Sequence, residues 1–122
     1  MAYFEQIGQI QYEGPKSKNP LAFKYYNPSE IVAGKAMKDH LRFAMSWWHT
    51  FTYRGTDPFG GVTIFRPWDE ASNDIERAKA RVHAAFEFME KMQIGYFCFH
   101  DADIAPRQSN LLETNRVLDE IV

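Results

Sequence analysis

Two short apolar runs, residues 41–48 and 96–99, stand on either side of a long helical pattern, and that order restricts the chain more than any other feature. Between them Ile75, Ala78, Val82, Ala85, Phe86 and Met89 recur at three- and four-residue steps and make one apolar stripe, while Glu76, Arg77, Lys79, Arg81 and Glu87 fall largely on the wet side. Asn73 with Glu76 three residues on caps the start of this helix, and Gly95 is placed to end it. Beyond the second run, Asn110 with Glu113 repeats the cap ahead of Leu111, Val117, Leu118 and Ile121. Strand, helix, strand, helix in this order predicts an α/β fold, a β-α-β-α unit over residues 41–122 whose two strands run parallel through a right-handed crossover. Residues 1–40 read as an irregular N-terminal extension, broken by Pro15, Pro20 and Pro28, with a turn or helix start at Asn27-Pro28-Ser29-Glu30 and one helical turn over 36–40.

The 122 residues suit one domain, and 45% hydrophobic with 16% aromatic residues supplies a core. A net charge of -2, with no dense run of lysine and arginine, argues against nucleic acid as a partner. No window approaches the length of a membrane span, and residues 1–5 lack a basic segment leading into an apolar one, so a cytoplasmic protein is expected. The single cysteine, Cys98, excludes an internal disulfide and reads as a core thiol. No glycine-rich phosphate loop follows either run, which weakens a nucleotide-binding reading. Both runs are apolar on both faces and so read as buried strands, yet two helices can cover only one face of a two-stranded ribbon.

The second run ends in Tyr96-Phe97-Cys98-Phe99-His100-Asp101-Ala102-Asp103-Ile104-Ala105-Pro106. Strand alternation sends Tyr96, Cys98 and His100 to one face and Phe97 and Phe99 to the other. Asp103, just past the strand, is spaced to turn back and accept a hydrogen bond from an imidazole nitrogen, fixing the tautomer of His100. The competing reading is a histidine satisfied at a strand end, with Asp101 and Asp103 opening a turn before Pro106. His100, Asp101 and Asp103, with His49 nearby, are also candidate metal ligands, but a hard divalent ion wants more oxygen donors than so short a segment supplies. Trp47 and Trp48 end the first run, so one of them is expected to face the cleft of His100, either as a flat wall for a sugar or small carbon skeleton or as core filling. Residues 50–72 form a long loop, of a length usually functional, in which Phe59 sits among turn formers and either protrudes towards a neighbour or packs locally.

These residues carry a resemblance. The segment 96–106, together with Trp48-His49-Thr50-Phe51, Asp57-Pro58-Phe59-Gly60, Arg66-Pro67-Trp68 and Asn19-Pro20-Leu21-Ala22-Phe23, resembles in one register the N-terminal part of the longer-type bacterial xylose isomerases. The resemblance implies a partial TIM-barrel unit and an aldose–ketose isomerase that interconverts D-xylose and D-xylulose by a hydride shift, assisted by two divalent ions such as magnesium, manganese or cobalt. By motif position, His100 would bind the sugar and help open its ring, Asp103 would orient His100, Trp48 would line the pocket, and Phe59 would reach into the pocket of an adjacent subunit. Arg107-Gln108-Ser109 departs from the acidic, glycine-containing turn common in the family.

The family's metal ligands come from later strands, so the expectation is that these 122 residues lack a complete metal site and do not isomerise xylose alone. A whole barrel needs roughly 250 residues and closes its sheet. Two strands leave two open edges, and an uncovered apolar face of several hundred Å² would cost on the order of 10 kcal/mol at about 25 cal/mol per Å². A homodimer or higher homo-oligomer that pairs strands or exchanges helices is therefore expected. The alternative is a non-catalytic binding or assembly protein reusing the scaffold.

Overall fold

The computed structural model describes residues 2–122 as a small mixed α/β structure with two two-stranded sheets, and no closed barrel forms among the described residues. The first sheet is a hairpin of β1 (Ile31–Val32) and β2 (Lys35–Ala36), with Ile31 opposite Ala36 and Val32 opposite Lys35. Ala33 and Gly34 turn it at φ 47 and 80, the paired positive values that match the twist of the flanking strands. This hairpin lies inside the stretch read as irregular, because two-residue strands carry no alternation to detect. Helix α1 (Met37–His40) follows, where one helical turn was expected.

The second sheet positions the site. Strands β3 (Ala44–Ser46) and β4 (Tyr96–Cys98) run parallel, pairing Ala44 with Tyr96, Met45 with Phe97 and Ser46 with Cys98. The first strand is shorter than residues 41–48 suggest. Trp47 already has helical backbone angles and leads into a π-helical turn over Trp48–Thr52, closed by Tyr53 N–H donating to Trp48 O at 2.9 Å. The loop expected over 50–72 is thus ordered at both ends, since a 3₁₀ turn over Pro67–Glu70 precedes the main helix. Within it Gly55 (φ 72) is required: a Cβ there would overlap Thr63 Oγ1 and come within 2.9 Å of Ile64 Cγ1.

Helix α2 (Asp74–Met92) starts as predicted, with Asn73 Oδ1 accepting the Glu76 N–H at 2.9 Å. Its end is a correction. The left-handed residue is Gln93 (φ 57, ψ 36), not Gly95; Gln93 N–H donates to Glu90 O and Ile94 N–H to Met89 O, a Schellman closure. A non-glycine there costs about 1 kcal/mol, and Gln93 offsets it by donating from Nε2 to Ile10 O at 2.6 Å. Short helix α3 (Asp101–Ile104) and helix α4 (Leu111–Ile121), the latter capped by Asn110 on Glu113 N–H at 3.0 Å, complete the chain.

The core lies where α2 and α4 meet one face of the β3–β4 ribbon. Trp47 is fully buried and its ring meets Phe86, Phe97 and Phe99 at 5.6 to 5.8 Å between centroids. Helix α2 buries a second line that the single stripe omits, Ala80, Ala84 and Phe88 at four-residue steps. Against it the N-terminal residues Tyr3 and Phe4 pack on Trp68 and Phe88. The two strands are not both buried, contrary to expectation. Tyr96 and Cys98 lie on the face of the two-stranded ribbon that no helix covers, so Cys98 is an exposed thiol rather than a core one, and on the other face Phe97 and Phe99 remain about two-fifths exposed because the helices cover them only in part. An apolar cleft of about 260 Å³ opens beside Trp47, Val82, Phe86, Phe97, Phe99 and Val122. Among the described residues no helix is long and apolar enough to cross a membrane.

Candidate functional site

The site lies at the C-terminal tips of the two parallel strands, where side chains leave the sheet and loops begin. His100 lies two residues past the end of β4 and is the residue before α3, so its ring is held out from the sheet while its backbone caps the short helix. Asp103, one turn on, is 4% exposed. Its Oδ2 accepts the His100 backbone N–H at 2.7 Å and lies 3.2 Å from His100 Nδ1. A carboxylate only accepts, so that second contact is a hydrogen bond in the tautomer that carries the proton on Nδ1 and leaves Nε2 free to accept one.

Across the ribbon the chain turns after Ser46 so that the two tryptophans part. Trp47 goes into the core, and Trp48 lies against His100 with ring centroids 4.6 Å apart. The tryptophan expected to share the cleft of His100 is therefore Trp48. His49 is exposed with its ring 5.6 Å from Trp48, and Asp101 is exposed, its Oδ1 accepting the Ala102 N–H. Among the described residues no three histidine, cysteine, aspartate or glutamate side chains gather to hold a metal ion. The residues present do not fit a divalent cation cage, and no step through one follows from them. Phe59 stands at the tip of the Asp57–Gly60 turn, held by Phe59 N–H donating to Asp57 Oδ1 at 2.7 Å, and is 99% exposed.

Two neighbours escaped the sequence reading. Ser46 Oγ lies 3.9 Å from Cys98 Sγ on the open face of the ribbon, a contact that follows only from the strand register. Arg81, assigned to the wet side of α2, is half-buried and donates from Nη1 to the carbonyl of Asp103 at 2.8 Å. Burial pushes its guanidinium down from the ordinary value, while the carboxylates of Asp69 and Asp103 oppose that shift.

No protein-family model matches the chain. Over all 122 residues it is 62% identical to a xylose isomerase of Caldicellulosiruptor bescii, 61% to one of Caldanaerobacter subterraneus subsp. yonseiensis and 59% to one of Thermoanaerobacter pseudethanolicus. Its similarity to xylose isomerases runs the whole length of the chain. It spans 28% of the length of each of these xylose isomerases. The aligned residues take in the N-terminal segment, strands β3 and β4 and both long helices, so the resemblance to xylose isomerases is not confined to the separate motifs.

Proposed function

We propose that these residues form the sugar-handling end of an aldose–ketose isomerase acting on D-xylose and D-xylulose. The observation that carries this reading is the close, tilted contact of the Trp48 and His100 rings with Asp103 buried behind the imidazole. With Nδ1–H engaged by Asp103, Nε2 accepts the anomeric hydroxyl proton as the C=O bond forms and the ring C–O bond breaks, and the imidazolium then returns that proton to the ring oxygen, which becomes the open-chain hydroxyl. Trp48 provides a flat apolar wall for the carbon face of the sugar. Strand β3, helix α2, strand β4 and helix α4 then count as consecutive units of an α/β barrel, and Phe59 reaches the pocket of an adjacent copy.

In the family, divalent ions such as magnesium, manganese or cobalt supply Lewis-acid polarisation of the substrate oxygens, and the hydride shift depends on them. The 122 residues alone are therefore expected to bind xylose weakly and to give no useful turnover. Calorimetry with xylose should show binding that disappears in His100→Ala, and a coupled ketose assay with added manganese or cobalt should stay at background. Binding unchanged in His100→Ala would sink the site assignment, and turnover at the rate of a full-length enzyme would sink the dependence on further residues.

A second reading, a non-catalytic assembly protein, draws support from the uncovered side chains of Phe86, Phe97 and Phe99 beside the open edges of the β3–β4 ribbon. Self-association without xylose binding would favour it.

A further inference from the structure

Helix α3 is four residues long and is closed by Asp103 N–H donating to His100 O and Ala105 N–H to Asp101 O, each at 3.0 Å. A helix so short does not sustain itself. Its remaining carbonyls lack partners within the helix, and they carry the negative end of its dipole. The carbonyl of Asp103 is one of these, and it receives Arg81 Nη1 at 2.8 Å from the neighbouring helix α2. Arg81 also faces the carboxylate of Asp69 in the 3₁₀ turn, with Arg54 and Arg77 as the neighbouring positive charges. Among the described residues, neither Arg81 Nε nor Asp69 Oδ2 has a hydrogen-bond partner, although both are buried. The guanidinium is thus committed to the space between α3 and the 3₁₀ turn and is not a solvated surface charge.

We propose that Arg81 is a positioning residue: by gripping the Asp103 carbonyl it fixes α3 so that the Asp103 carboxylate meets His100 Nδ1, and so sets which ring nitrogen of His100 carries the proton. This rests on the reading of His100 as the sugar-handling base. It assigns to α2 a part in the site that the strand-end residues alone do not reveal. The guanidinium suits the task because its planar fork holds direction, which a flexible ammonium does not.

The test is the tautomer of His100, read from ¹⁵N shifts of both ring nitrogens in the 122-residue chain about two units above the ordinary imidazole pKa. His49 and His83, both exposed, are references in the same spectrum. In the unmutated chain His100 should hold its proton on Nδ1, and Asp103→Ala should abolish that preference. Arg81→Met should lower the Nδ1–H to Nε2–H ratio about fivefold, the size of one neutral hydrogen bond, with partial recovery in Arg81→Lys. A native ratio in folded Arg81→Met, with Asp103→Ala still effective, overturns the role of Arg81 and leaves the His100–Asp103 pair intact. A reference-like mixture in the unmutated chain overturns the pair and this inference together. Should Arg81→Met not fold, the unmutated chain decides: resolved, slowly exchanging Nη protons on Arg81 support the grip, and averaged signals like those of exposed Arg116 overturn it.

Discussion

Glu87 ties the N-terminal residues to the main helix, and it does so in a way that acidity can undo. Its carboxylate accepts the Tyr3 N–H at 2.6 Å and the Phe4 N–H at 2.9 Å, and the bond from Tyr3 above all holds the carboxyl below its ordinary value of 4.5. A carboxyl whose pKa is depressed on folding stabilises the folded state above its unfolded value, and that contribution fades as pH falls through the folded one. Tyr3 and Phe4 should therefore be protected from hydrogen exchange near neutral pH and lose protection once pH drops below 4.5, towards the folded value. Glu87→Gln should exchange faster at neutral pH and show little pH dependence beyond the intrinsic rates. Protection at Tyr3 persisting unchanged in strong acid would refute the link. The His100–Asp103 pair was legible in the sequence because its members stand only three positions apart. Arg81 was not, because its partner Asp103 lies 22 residues away and the helical stripe sorts side chains only into wet and dry.

At the scale of elements, both helix starts follow from local chemistry, an asparagine oxygen meeting an amide three residues on, and both were readable for that reason. The end of α2 obeys a distant contact. Gln93 adopts the left-handed conformation that glycine adopts freely, and its side chain is held by Ile10 O, 83 residues away in sequence. Gln93→Gly should gain about 1 kcal/mol from the backbone and lose about as much with the hydrogen bond. The denaturation midpoint should then barely move, while exchange at the Ile10 amide, which donates to Lys91 O at 2.8 Å, should quicken. A midpoint shifted by the equivalent of 2 kcal/mol or more, about twice either contribution, would show that one of them dominates. The shortened first strand has a similar cause. Apolar residues continue through Trp48, but the backbone coils after Ser46 and ends the strand there, and hydrophobicity alone does not register that turn.

For the whole molecule, the governing fact is a parallel sheet of only two described strands. The side of β3–β4 that meets α2 has its aromatic rings in mutual contact, yet Phe86, Phe97 and Phe99 keep 46, 39 and 42% of their surface exposed and border the apolar cleft. Both ribbon edges also present unpaired backbone groups. Light scattering of the 122-residue chain at micromolar concentration should show a dimer or larger species, and Phe86→Glu should shift it towards monomer by placing a charge in that cleft. A monodisperse monomer in the unmutated chain would remove the case for self-association. On the opposite side of the ribbon the sequence's one sulfhydryl, Cys98, stands open beside Ser46. It is a built-in gauge: its rate of alkylation by a bulky maleimide reports how much of that surface further chain, or a second molecule, has come to shield.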